Sequence, residues 1–313
     1  MKMKSKTTLI TFLAIAIAFT ANASSCLAGS GSFGTRSAQF LKMGVGARAI
    51  GMGSAFVGLA NDATAIYWNP AGLAYMDKIQ VSFTHLWWFQ DISYEYFLHS
   101  QPTKYGTFGW SLGYLHMDPM QGRDIEGELT SQFKSSDMAF TIAYGRRVRK
   151  DISIGGSVKY INEKIENENA SAFAFDFGWL HKTQVKNLFL GGSFQNWGSS
   201  MKFVEESNKL PSSAKIGLCY STSLAKNPMN LTTDLCVPSD SRIGLHFGAE
   251  YIYNHMLMGR LGYRTETDLG FASGLSFGVG FLYNQIQIYR IDYAFVPQGV
   301  LGNTHTISLV VTF

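Results

Sequence analysis

The chain has 313 residues, 32 of them glycine and 14% aromatic, with only 7 prolines. Three units of its formal charge of +4 come from the leading segment, since removing Lys2, Lys4 and Lys6 from 26 basic residues leaves 23 against 22 acidic. That balance excludes a basic face for nucleic acid and an acidic tail. After the leader, no apolar run reaches the length of a membrane-spanning helix.

Residues 1–23 have the layout of a secretory signal peptide. Lys2, Lys4 and Lys6 give a basic start, Leu9 to Phe19 an apolar core, and Ala21-Asn22-Ala23 a small-residue cleavage site. The apolar run falls short of the ~20 residues a membrane anchor needs. Cys26 raises a lipoprotein reading, but Ala23-Ser24-Ser25 lacks the aliphatic residue usual before a lipidated cysteine. An exported chain of this composition is a secreted all-β protein or an outer-membrane barrel.

Residues 24–77 form an N-terminal segment of their own. From Phe40 to Met76 it is rich in Gly and Ala, poor in charge, and interrupted by Asn69-Pro70. It has neither strand alternation nor the pattern of a free helix. A compact hatch or plug packed inside something larger accounts for it.

Residues 78–313 alternate with period two between closely spaced turn signals. Val81 and Phe83 oppose Ser82 and Thr84. Ile92, Tyr94, Tyr96 and Leu98 read as the next apolar row, placing Ser93, Glu95 and His99 on the opposite parity. Further rows follow at Phe108–Tyr114, Met138–Tyr144, Ile152–Tyr160, Phe173–Trp179, Leu188–Phe194 and Ile216–Tyr220. A weaker one covers Leu231–Val237, and the rest lie at Ile243–Tyr253, Leu257–Tyr263, Leu275–Phe281, Tyr289–Phe295 and Ile307–Phe313. The pattern predicts fourteen strands. One face is heavy in Phe, Tyr and Trp and the other in Gly, Ala and Ser, as in a lipid-facing wall around a narrow, plugged lumen. The predicted fold is all-β, a 14-stranded antiparallel transmembrane β-barrel with an N-terminal hatch.

Loop lengths support this reading. Turns after the even strands are short, and those after strands three, five, seven, eleven and thirteen are mostly longer, near Arg123, Glu166, Ser207, Thr267 and Gly299. The first and ninth, near Phe89 and Pro238, are short. Trp87, Trp88 and Phe89 suit a membrane interface. The terminal Phe313 resembles the assembly signal of bacterial outer-membrane barrels, which implies the barrel-assembly machinery as a partner.

On the polar parity lie Glu95, Lys159, Asp176, Glu250, Arg260, Arg290 and Asp292. Their expected work is mutual pairing and pairing with the hatch, where Arg48 and Asp62 are the obvious partners, or else tuning of a permeation path. Cys219 and Cys236 fall on the same parity, either as a cross-strand disulfide or as two small lumen-filling residues. Gly44-Val45-Gly46 lacks the preceding buried strand of a phosphate-binding loop. The seven histidines join no serine in a catalytic motif, and no spacing suggests zinc or calcium. No enzymatic activity, cofactor or metal is expected.

Gly46-Ala47-Arg48-Ala49, Gly51-Met52-Gly53, Asp62 and the run Asn69-Pro70-Ala71-Gly72-Leu73-Ala74 resemble the N-terminal signature of the PorV/PorQ family, a branch of the FadL-type outer-membrane proteins. The resemblance implies a barrel in the bacterial outer membrane, in contact with its lipid, with a hatch in or under the lumen. It further implies an adaptor in protein secretion or surface attachment, partnered by a type IX-like secretion translocon or a secreted cargo protein. The alternative, implied by the FadL side, is a passive transporter of fatty acids or other hydrophobic small molecules gated by the hatch.

Overall fold

The computed structural model describes residues 36–313 apart from 167, 204, 268 and 269. The leader expected at residues 1–23, and Cys26, lie outside the described residues. Fourteen strands form the wall: β1 (Gln80–Trp87), β2 (Ile92–Thr103), β3 (Gly106–Met117), β4 (Ser135–Arg147), β5 (Ile152–Ile165), β6 (Glu168–Lys182) and β7 (Leu188–Gly198). The circuit continues through β8 (Ser213–Leu224), β9 (Asn227–Pro238), β10 (Gly244–Tyr253), β11 (Leu257–Arg264), β12 (Leu275–Asn284), β13 (Ile288–Pro297) and β14 (Asn303–Thr312). Each strand pairs antiparallel with the next, and β1 pairs with β14, so the sheet is a closed barrel.

The seam runs from Gln80 opposite Thr312 to Trp87 opposite His305, and the Phe313 amide extends it by donating to the Ile79 carbonyl at 3.0 Å. Closure is what the environment demands: hydrocarbon offers no partner to a free strand edge, so every wall amide must bond to a neighbour. The side chains sort accordingly. On β6, Phe173, Phe175, Phe177 and Trp179 stand exposed on the outer face while Ala174, Asp176 and Gly178 turn inward. That surface is stable against lipid and would be a liability in water.

On β2 the predicted orientation is reversed. Tyr94, Tyr96 and Leu98 are buried in the lumen, and Glu95, Phe97 and His99 face outward. The N-terminal segment gives the tyrosines a partner inside: Tyr94 meets Phe40 and Tyr96 meets Tyr67 edge-on, with ring centroids 6.3 and 6.4 Å apart. Both faces of β2 carry aromatics, so the apolar row alone does not set its parity, and a change of one flips every side chain. Glu95 is therefore not a lumen charge. It accepts a hydrogen bond from His85 Nδ1 at 2.6 Å on the outer wall, with His116 Nε2 3.9 Å away.

The connection near Glu166 also differs from expectation. There is no long loop: β5 and β6 pair out to Ile165 opposite Glu168. Their outer ends carry Glu163, Lys164 and Glu168, so the ladder continues beyond the apolar band with no apolar face to announce it. The connections after β3 and β7 do extend, each as a small hairpin, Met120–Arg123 with Leu129–Phe133 and Met201–Phe203 with Glu206–Asn208. Cys219 and Cys236 are free and buried, opposite Thr232 and Lys215 rather than each other.

Candidate functional site

Residues 36–76 fill the lumen. The segment starts at the long-loop end, where Gln39 Nε2 donates to Asp240 Oδ2 at 2.8 Å and Lys42 pairs with the same carboxylate at 3.2 Å. It descends through two short helical turns, α1 (Ala47–Gly51) and α2 (Ala65–Trp68), and a 3-10 turn over Pro70–Tyr75. At the opposite end the Arg147 guanidinium covers the Tyr75 ring at 4.6 Å, and the chain enters β1.

The glycine and alanine content follows from how closely this segment meets the wall. Gly53 takes φ +65°, and a Cβ there would stand 2.7 Å from both the Phe247 carbonyl oxygen and the Tyr263 amide nitrogen. Gly72 rests directly on the Ala60 carbonyl, with no room for a side chain. Gly46 packs against Thr64, and Gly51 against the backbone of Gly278 on β12. Asn69 pins the break in the segment. Its Nδ2 donates to the Val57 and Trp179 carbonyls at 3.0 and 3.1 Å, and its Oδ1 accepts the Ala71 amide, capping the turn that begins at Pro70.

The charges form a closed ring. Arg48 grips Glu250 with Nε and Nη2 at 2.9 and 2.8 Å, and Glu250 accepts Arg260 Nε at 2.9 Å. Arg260 Nη1 lies 2.8 Å from Asp292 Oδ1, and Arg290 Nε donates to Asp292 Oδ2 at 2.7 Å. Arg290 Nη2 and Arg48 Nη1 then share Asp62 Oδ2, each at 3.0 Å. Three cations and three carboxylates thus alternate, two from the N-terminal segment and four from β10, β11 and β13. Burial disfavours an ionised Asp62, but Arg290 and Arg48 outweigh it and hold the carboxyl below the usual carboxylate range. Buried charges of this kind persist only when each is compensated.

Lys159 and Asp176 make a second buried pair at 2.8 Å, across from a bulge in β7. There Asn196, at φ +58°, donates its amide to Asp176 Oδ1 at 2.8 Å and accepts Lys159 Nζ at 2.7 Å through its side chain. Phe313 is half exposed at the seam.

Above this packing, toward the long-loop end, lies a cavity of about 190 Å³. Its floor includes Tyr67 and Trp68, and Lys42, Lys215, Arg242 and Arg264 line it with a single carboxylate, Glu266. Lys215 Nζ sits 5.1 Å from the Trp68 ring. Outside, glycines 156 and 192 open a groove of about 700 Å³ between Tyr144, Phe177, Trp179 and Ile216, and Lys215 lines that groove as well. Inner cavity and outer groove approach each other at this one side chain. Neither was legible in the sequence, because both arise from residues on different strands.

Comparison with known proteins bears on this architecture. Residues 15–288 match the model of an uncharacterised protein family, UPF0164. No curated protein matches the chain by sequence. Among solved structures it is similar to the Pseudomonas putida toluene transporter TodX, at 12% identity and TM-score 0.63, over 90% of this chain and 99% of that one. The Ralstonia pickettii toluene transporter TbuX matches at 13% identity and TM-score 0.56, over 86% and 97%. A Pseudomonas aeruginosa FadL homologue matches at 12% identity and TM-score 0.54, over 86% and 98%. Two of these neighbours are toluene transporters and the third a FadL homologue, and the fold is of the FadL type.

Proposed function

The chain belongs to UPF0164, an uncharacterised protein family, and we propose that it is a FadL-type outer-membrane transporter of hydrophobic small molecules. The observation that carries this reading is Lys215, which lines both the cavity above the hatch and the groove on the lipid-facing wall. A molecule entering from the long-loop end meets the Tyr67 and Trp68 floor and is blocked below by the charge ring. Its shortest exit is sideways, past Lys215 and the β7 bulge into the groove at Gly192. The likeness to toluene transporters supports the direction of this reading by fold alone.

The test is uptake of radiolabelled toluene and of a long-chain fatty acid into proteoliposomes. Wild-type protein should raise uptake of at least one above protein-free liposomes, and Gly192→Trp, which fills the groove from the lipid side, should reduce it several-fold. No uptake of either compound would remove the transport reading.

A second reading, the adaptor role of PorV/PorQ type, draws support from the outer wall. His85, Glu95 and His116 form a polar cluster on a largely apolar face, and a protein partner would cover it better than lipid tails. Gentle solubilisation should then retain a larger envelope protein that Glu95→Leu releases.

A further inference from the structure

Cys236, His246 and Glu266 line the cavity above the N-terminal segment, and none is used by the transport reading. Cys236 and His246 sit diagonally on β9 and β10, with Asp234 opposite His246 and Cys236 opposite Gly244. The Cys236 Sγ lies 3.7 Å from His246 Nδ1, and Glu266 Oε1 lies 2.7 Å from His246 Nε2. The Ser54 carbonyl oxygen is also within 3.4 Å of Nδ1.

Both ring nitrogens therefore face acceptors. With Nε2–H donated to Glu266, Nδ1 takes up the Cys236 thiol proton and, once protonated, donates to the Ser54 carbonyl, so ring and sulfur share one proton. An imidazolium beside a sulfur stabilises its thiolate, the reactive form of cysteine. Cys219, the other described cysteine, has instead the Ser221 hydroxyl 3.9 Å from its sulfur. The surroundings add a charge preference, for Lys215 and Arg264 line the cavity and its one lining carboxylate, Glu266, is held by His246. Lys42 spends part of its charge on Asp240, while Lys215 lies over Trp68 and points its ammonium to the same space.

We propose that Cys236, His246 and Glu266 form a thiol-exchange site for small anionic sulfur electrophiles, disulfides or thiosulfonates, drawn in by the surrounding cations. The Cys236 thiolate attacks the electrophilic sulfur and a new S–S bond forms. The old S–S bond breaks, and its electron pair leaves with the departing thiolate or sulfinate. The thiol sulfur is oxidised and the leaving group reduced by the same two electrons, so no further oxidant is required. Glu266 holds the imidazole and acts as a positioning residue. The site stands whether or not the barrel transports anything, because it rests on the cavity and these three side chains.

The test uses full-length protein in detergent micelles and two methanethiosulfonates of similar size, the anionic 2-sulfonatoethyl and the cationic 2-trimethylammonioethyl reagent. Adducts are located by mass spectrometry of tryptic peptides, since Lys226 separates Cys219 from Cys236. Each rate is normalised to that reagent's rate with a free small thiol. Cys236 should react about tenfold or more faster than Cys219, with a normalised preference for the anionic reagent. His246→Gln should slow Cys236 about tenfold, and Lys215→Gln should narrow the charge preference. Equal rates at the two cysteines, or a normalised preference for the cation, would overturn the proposal. Should His246→Gln fail to give a folded, heat-modifiable barrel, the two wild-type comparisons decide alone.

Discussion

Arg48 and Glu250, 202 residues apart in the chain, face each other fork to fork, with two nitrogen–oxygen contacts of 2.9 and 2.8 Å and almost no exposure to solvent. This pair anchors the N-terminal segment to β10, and the remaining ring members extend the anchor to β11 and β13. Arginine suits the position because its planar fork matches a carboxylate in two directions and stays charged when buried.

Removing one partner leaves an uncompensated charge in a dry lumen. Glu250→Gln should destabilise the folded barrel by about 3–5 kcal/mol, read as a lowered urea midpoint in detergent micelles. The double variant Arg48→Met with Glu250→Met should cost less than the two single changes added together, because the two residues share one interaction. Strict additivity would show that they act independently.

The ring also fixes an acid response. Asp62 has an ordinary value of 3.8 and is held lower in the folded chain, so the folded state resists its protonation. Its contribution is complete above that ordinary value and drains away as pH falls below it, toward the folded-state value. The temperature at which the band shifts on a heat-modifiability gel should therefore hold steady down to about pH 4 and fall as the pH drops further. In Asp62→Asn that slope should flatten. An unchanged slope would assign the acid response to other carboxylates.

Gly72→Ala should prevent assembly or cost well over the roughly 1–3 kcal/mol of ordinary overpacking, because the new methyl meets the Ala60 backbone carbonyl rather than a movable side chain. Gly259→Ala on β11 is the matched control, with nothing within 4 Å of the added carbon. Yields of heat-modifiable protein should separate the two. Equal yields would mean that the segment can shift away from the wall.

The outer face makes a different demand. Phe177→Arg, in the middle of β6, should cost about 2–4 kcal/mol for folding into lipid vesicles, whereas Phe177→Leu should cost less than about 1.5 kcal/mol. Similar losses for both would mean that this face is not turned to lipid.

The wall was legible because lipid imposes one rule on every strand, and period-two alternation records it. Phe173, Phe175 and Phe177 announce their direction without reference to any other residue. Strand β2 was misread because its inward tyrosines answer to Phe40 and Tyr67, which are remote in sequence. The overhang of β5 and β6 was missed because a ladder above the membrane needs no apolar side. Individual lumen charges could be picked by parity, but the order in which Arg48, Glu250, Arg260, Asp292, Arg290 and Asp62 join depends on register across four elements. The Cys236, His246 and Glu266 group was hidden in the same way. Its first two members share lumen parity on adjacent strands, and only the loop after β11 supplies the third.

The alternating ring has a further consequence for the order of assembly. Its first member is residue 48 and its last is residue 292, so in a chain emerging from its N-terminus Arg48 and Asp62 have only each other among the ring members until β10 to β13 exist. The seam between β1 and β14 waits just as long. Sealing the wall and neutralising the lumen thus fall in one late step, and non-local contacts of this span make that step slow. A nascent barrel is an open, charged trough until its final quarter arrives.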